Sequence, residues 1–175
     1  CRTMWYVIQV KGGTEENIRQ QCQNTISSPV LEKCFIPYYE QMKRYQGKWN
    51  KEKKILFPGY VFMVSDEIEE LYFELKNVIG LTKILGAGNE VIPLSQEEVD
   101  FLRQLGCDEQ VLQVSEGVIE GGNVVVTRGP LQGLEGCIKR IDRHKRVAYL
   151  GIEMMGRLVE TQVGLEIVEK KEQVK

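Results

Sequence analysis

The sequence holds a single histidine, His144, with no second imidazole to share a metal. Its five cysteines, Cys1, Cys22, Cys34, Cys107 and Cys137, are scattered, and no two stand at CxxC spacing. Zinc sites need closely spaced thiolate or imidazole ligands, so no metal centre is expected. An odd, dispersed set of thiols fits a reducing compartment better than a disulfide framework. No apolar run approaches the ~18–20 residues that span a bilayer, so no membrane association is expected. The N-terminus shows no charged-then-apolar leader pattern, and a cytoplasmic protein is the expectation. There is also no Ser-His-Asp set and no glycine loop of the phosphate-cradling kind. These absences argue against an enzyme and against a bound cofactor.

What is present is ordinary in amount and uneven in placement. A length of 175 residues allows one domain of usual size or two small ones. The hydrophobic share of 42% and charged share of 27% belong to a globular chain. The net charge is −2, but residues 1–120 hold 13 Lys+Arg against 18 Asp+Glu, while residues 121–175 hold 10 against 7. The positive charge peaks in "KRIDRHKR" at 139–146, where six of eight residues are Lys, Arg or His. Such asymmetry suggests different partners for the two halves. A solvated hairpin tip and a nucleic-acid surface are both compatible with that peak.

Residues 1–3 are set aside from fold reasoning. "MWYVIQV" (4–10) is apolar, β-branched and aromatic, which predicts a buried strand. Gly12-Gly13 breaks it, and Thr14 as N-cap with Glu15 and Glu16 in the first turn predicts a helix to about Ile26. Strand, basic turn near Gly47 and return strand follow within "KCFIPYYEQMKRYQGKWNKEKKILFPGYVFMV". "SDEIEELYFELKNV" has helical spacing, "GLTKILG" is a short strand, and "LSQEEVDFLRQL" is a helix capped by Ser95 with Glu98 three residues on. The order β-α-β-β-α-β-α predicts an α+β, ferredoxin-like domain over 4–105, with two helices packed on one face of an antiparallel sheet.

Residues 106–120 match neither period and are expected to link the domains, although Val111, Leu112, Val114 and Ile119 could still pack. From 121 to 170, short β-rich runs alternate with turn residues. This predicts a small five-stranded SH3-like β-barrel, marginal in stability on its own.

Two stretches carry a family resemblance. "LFPGYVFM" (56–63), preceded by "MWYVIQVKGG", resembles the N-terminal domain of the NusG family of transcription elongation factors. "GGNVVVTRGPLQGLEGCIKRIDRHKRVAYLGIEMMGRLVETQVGLEIVE" (121–169) resembles the KOW module that follows it in those proteins. The two motifs in this order, spanning nearly the whole chain from Met4, are more specific than either alone. The resemblance implies a monomeric, non-enzymatic factor. Its first domain would grip the clamp helices of RNA polymerase, and its KOW module would recruit RNA, a ribosomal protein or the termination ATPase Rho.

Carried over to matching positions, the polymerase-binding candidates are Phe57, Pro58, Tyr60 and Phe62, with Leu81 and Ile84 from the next strand. Strand alternation puts Tyr60 and Phe62 on one face. From the residues alone, that aromatic face fits a core as well as a partner surface. Lys11, Asn17 and Gln21 lie in the region that faces the non-template DNA strand in relatives; an ordinary wet helix face fits them equally. The hairpin Lys43–Lys54 interleaves six Lys/Arg with Trp49, a pattern that suits nucleic acid or a charged, aggregation-resistant edge.

The KOW stretch departs from the housekeeping pattern. Lys139, Arg140, Arg143, His144 and Arg146 stand where acidic or neutral residues are usual, Lys145 joins them as an RNA-binding candidate, and Leu131, Leu134 and Met154-Met155 replace aromatic positions of a protein-binding face. That favours a specialised paralog of the LoaP type, an antitermination factor whose KOW module binds a nascent RNA hairpin, with Arg157 assisting. The alternatives are a housekeeping factor coupled to a ribosomal protein or Rho, and a ribosome-associated KOW protein. In one family branch this module refolds as helices, which the Val-rich strands here disfavour.

Overall fold

The computed structural model describes residues 4–27, 29–78, 91–108 and 111–168. The expected strand "GLTKILG", with Leu81 and Ile84, lies outside the described residues. In chain order the first elements are β1 (Met4–Gln9), α1 (Glu15–Thr25), β2 (Lys33–Phe35), β3 (Tyr38–Tyr45), β4 (Lys48–Ile55), β5 (Tyr60–Ser65) and α2 (Ile68–Leu75). Next come β6 (Ile92–Pro93), α3 (Gln96–Leu105), β7 (Ser115–Glu120) and β8 (Asn123–Arg128). A 3₁₀ turn (Glu135–Cys137), β9 (Ile138–Asp142), β10 (Val147–Met154) and β11 (Arg157–Ile167) complete this mixed α/β chain.

The chain divides into two compact units, Cys1–Ile36 with Phe57–Asp100, and Pro37–Leu56 with Phe101–Lys175. The β3–β4 hairpin, which the sequence reading places within a domain over 4–105, therefore groups with the C-terminal strands.

In the first unit four strands run in the order β2-β5-β1-β6, each neighbouring pair antiparallel. β5 lies between β1 and β2, so the β1–α1–β2 unit is split by a strand that comes later in the chain. The run that reads as a buried strand is one: Trp5, Tyr6, Val7 and Ile8 are all buried. α1 buries Ile18 and Cys22, and Cys22 meets Cys34 of β2, whose thiol is pushed upward by that hydrogen bond and then by burial. α1 therefore covers the Cys34 face of the sheet. Pairing register puts Trp5, Val7, Phe35 and Phe62 on the opposite face. α3 opens with a full capping box: the Glu98 N–H donates to Ser95 Oγ at 3.2 Å and the Ser95 N–H to Glu98 Oε1 at 2.9 Å.

In the second unit five strands run β8-β7-β11-β10-β9, all antiparallel except β7 with β11. Among the described residues no ladder joins β8 to β9, so in hydrogen-bonding terms the sheet is open. Five strands are expected within 121–170, but among the described residues four of the sheet's strands lie there and the fifth comes from the stretch before it. Ser115–Glu120, expected as part of a linker, is strand β7, and Arg157–Ile167 forms one continuous strand, β11, that runs through Gly164. Each holds a glycine where another backbone passes close by. Gly117 sits at a bulge where a Cβ would come within 2.8 Å of the Val125 carbonyl oxygen. At Gly164 a Cβ would come within 2.4 Å of the Glu40 carbonyl oxygen, because β3 crosses close over β11.

The hairpin is tied to this sheet in several places. Glu40 N–H donates to the Leu112 carbonyl at 2.7 Å, and Leu112 N–H to the Tyr38 carbonyl at 2.9 Å. Gln162 Nε2 donates to the Tyr39 hydroxyl at 2.7 Å, and the Thr161 hydroxyl donates to the Leu56 carbonyl. Tyr39 is buried, and that burial raises its phenol above the usual value, the Gln162 hydrogen bond opposing it. Gln46 and Gly47, at φ 51° and 79°, make the two-residue type I′ turn that matches strand twist.

Candidate functional site

Two sets of residues carry candidate functions, one in each unit. The first is Phe57-Pro58-Gly59-Tyr60, which is a type II turn. Proline pre-sets the first corner, Gly59 takes φ 85° at the second, and Tyr60 N–H closes onto the Phe57 carbonyl at 3.2 Å. The turn is fastened from both sides. Val10 N–H donates to the Gly59 carbonyl at 2.7 Å. Glu15, buried despite its charge, accepts the Gly59 N–H at 2.9 Å on one carboxylate oxygen and the Gly13 N–H at 2.7 Å on the other.

Glu15 was not foreseen as anything but a helix-dipole acid in the first turn. Its signal was the pair Glu15-Glu16 following Gly12-Gly13-Thr14. Thr14 does not cap α1 with its side chain; its hydroxyl donates to the Lys11 carbonyl at 2.6 Å.

Around the turn the predicted residues separate. Pro58 is exposed and Tyr60 half-buried, whereas Phe57 and Phe62 are fully buried. Phe62 stacks on Phe35 with centroids 5.4 Å apart and meets Phe57 at 5.6 Å, and Phe35 meets Trp5 edge-on at 5.2 Å. Tyr60 and Phe62 share a face by alternation, but here only Tyr60 of the two reaches solvent; Phe62 belongs to an aromatic cluster. On α1, Asn17 is exposed and Gln21 half-buried, and the Gln21 side-chain Nε2 donates to Asn17 Oδ1. Lys11 is exposed just ahead of them.

The second set is the turn between β9 and β10. Asp142 Oδ1 accepts the Lys145 N–H at 2.9 Å, which shapes the turn, and Arg146 leaves it at φ 56°. Arg143, His144 and Lys145 are exposed at the tip. Arg146 is not: its guanidinium lies 3.7 Å from the centroid of the Trp49 ring and 3.3 Å from a Glu166 carboxylate oxygen. Arg146 was expected among the RNA contacts, but its charge is already engaged within the unit. Arg140 stacks 3.7 Å over the Tyr149 ring, directly across the β9–β10 ladder, and remains exposed, as does Lys139 on the alternate face. Arg157 is exposed at the start of β11, after the Met155-Gly156 turn, away in sequence from the basic tip.

Leu131, Leu134 and Met154 are buried, Leu131 and Met154 completely. Three of the positions compared with an aromatic protein-binding face thus pack the interior of this unit, while Met155 is half-buried. The sequence could not show the Arg146–Trp49 stack, because its two halves come from stretches assigned to different domains.

The chain is similar to known proteins in sequence and in fold. A family model described as transcription termination factor nusG matches residues 3–103. Over 173 residues the chain is 31% identical to the transcription termination/antitermination protein NusG of Halalkalibacterium halodurans, covering 94% of this chain and 96% of that protein. It is 29% identical over 174 residues to the protein of the same name from Staphylococcus epidermidis, covering 95% and 94%. Among solved structures, one described as domain interaction in Thermotoga maritima NusG shares the fold with a TM-score of 0.56 at 22% identity, covering 94% of each chain.

Proposed function

The chain belongs to the NusG family of transcription termination and antitermination factors, and from that premise we propose that it is a specialised antitermination factor of the LoaP type. Proteins of this family are transcription factors, not enzymes, and act with RNA polymerase. In this reading the Pro58–Tyr60 turn touches the polymerase clamp helices, with Phe57 and Phe62 holding it from beneath. Leu81 and Ile84 join that contact. The Lys11, Asn17 and Gln21 face looks towards non-template DNA. The five-stranded sheet serves as the KOW module, and its basic turn binds a structured nascent RNA, which carries polymerase past terminators.

The observation that carries the RNA half is the exposed tip Arg143–Lys145, held by Asp142 on a paired hairpin in a unit with excess positive charge. Residues 37–56 with 101–175 contain 17 Lys+Arg and 13 Asp+Glu, against 6 and 12 in the rest of the chain. Cationic tips bind phosphate with release of counterions, and folded RNA offers shape and unpaired loops to read.

A gel shift of the full chain with structured RNA across a salt series tests this. Binding that weakens steeply with salt is expected; no binding at low salt would remove the RNA assignment. Co-purification with polymerase tests the other half. Tyr60→Ala is expected to lose it, and unchanged association would count against the turn as the contact.

A further inference from the structure

The geometry points to a composite RNA-binding surface in which the β3–β4 hairpin and the β9–β10 turn act together, joined by the Arg146–Trp49 stack. It rests on the RNA reading above and extends it to a hairpin that carries no assigned role. The occupant it fits is the phosphate backbone of a structured RNA.

The register of the hairpin sorts its charges. Arg44 stands directly across from Trp49, and Lys51, two residues further along β4, shares that face. Both are exposed. Two of the other hairpin lysines have local partners: Lys43 lies 3.8 Å from Glu52, and Lys53 lies 4.3 Å over the Tyr38 ring. The Trp49 ring, bearing Arg44 at its side, meets Arg146 at 3.7 Å. Arg146 is the last residue of the turn whose tip presents Arg143 and Lys145. Arg44 and Lys51 are thereby placed on the same side of the unit as the turn, and the stack fixes the two cationic groups in one surface.

Arg146 is a positioning residue here. Its charge is balanced by Glu166 at 3.3 Å, and its planar guanidinium supplies the join. Two chain segments that share a stack, and not a single flexible tip, give a surface wide enough to follow a backbone over several phosphates. Backbone contacts of this kind set orientation and affinity.

The test is filter binding of the full chain to a labelled stem–loop RNA over a salt series, with the DNA stem–loop of the same sequence as competitor. Arg44→Glu combined with Lys51→Glu is expected to weaken RNA binding about tenfold at low salt and to flatten the log–log salt slope by roughly 1.5, two contacts at about 0.7–0.9 each. Arg143→Glu combined with Lys145→Glu is expected to do the same. Trp49→Ala removes no charge yet is expected to weaken binding, with Trp49→Phe recovering most of it. The Glu variants replace exposed side chains, and thermal melts confirm that they remain folded. If the hairpin variants bind like the unaltered protein while the turn variants fail, the composite surface is wrong and the RNA reading stands. If only the hairpin variants fail, the turn has no share and the composite is equally wrong. Loss of all binding by the unaltered chain at low salt, or displacement by DNA as readily as by RNA, overturns both.

Discussion

Arg146 lies over the Trp49 ring at 3.7 Å, with Glu166 closing on its guanidinium at 3.3 Å. Stacking of arginine on indole contributes about 0.5–2 kcal/mol depending on desolvation, and Arg146 is only 27% exposed. A double-mutant cycle with Trp49→Ala and Arg146→Ala, read by urea unfolding, is expected to give a coupling of about 1 kcal/mol. Arg146→Lys keeps the charge but loses the planar stack, and is expected to recover less than half of it. A coupling within error of zero would mean that the two side chains are merely adjacent.

The Glu15 carboxylate has an equally specific task. It accepts two backbone N–H groups, one from Gly13 and one from Gly59, and is 2% exposed. Glu15→Gln puts an amide donor against one of those donors. The expected cost is about 1–3 kcal/mol, the range for an unsatisfied buried polar group. Polymerase co-purification should fall with it, because the Pro58–Tyr60 turn loses its fixed position. Full stability with lost co-purification would make Glu15 a direct contact; full retention of both would leave it without a role.

Gly164 tests how closely the hairpin sits on β11. A Cβ there meets the Glu40 carbonyl oxygen at 2.4 Å and a Val114 methyl at 2.9 Å, both too close without movement. Gly164→Ala is expected to destabilise the chain by about 1–3 kcal/mol, as overpacking does. Amide exchange should accelerate first at Glu40 and Leu112, whose backbone bond is the next link. Exchange spread evenly over the chain would show that the crossing is not a local weak point.

The elements most legible in the sequence were those with local causes. "MWYVIQV" was readable because four consecutive apolar residues need burial on both faces, and Ser95 with Glu98 because a capping box is complete within four residues. The FPGY turn was legible as a motif, and its Pro-Gly order dictates the turn type. What escaped depended on distant partners. Gly117 and Gly164 each mark a backbone passing close by, which no local pattern announces. Alternation made Phe62 look equivalent to Tyr60, yet nothing local reveals that Phe35 and Phe57 enclose it. Charge counts found the basic turn, but could not tell Arg146, already balanced by Glu166, from Arg143 beside it. The hairpin's grouping with residues 101–175 is set by contacts such as Tyr39 with Gln162 that no period in the sequence encodes.

Alkaline pH gives the last test. Cys107 is buried, and burial, with Asp108 adding to it, pushes its thiol from 9.0 up to about 12. A group whose folded value lies above its unfolded one binds its proton more tightly in the fold. Its contribution is therefore complete below about pH 9 and is lost as pH climbs towards 12. The Cys34 thiol and the Tyr39 phenol are raised too, so they act in the same direction. The urea midpoint is expected to stay level from about pH 7 to 8.5 and to fall above about pH 9. Cys107→Ala should flatten that fall, whatever it does to the midpoint at neutral pH. In the same window a thiol reagent should label Cys137, half-exposed, well before Cys107. A midpoint that holds to pH 10.5, or a Cys107 that reacts as fast as a free thiol at pH 8, would show that the thiol is not sealed in the fold.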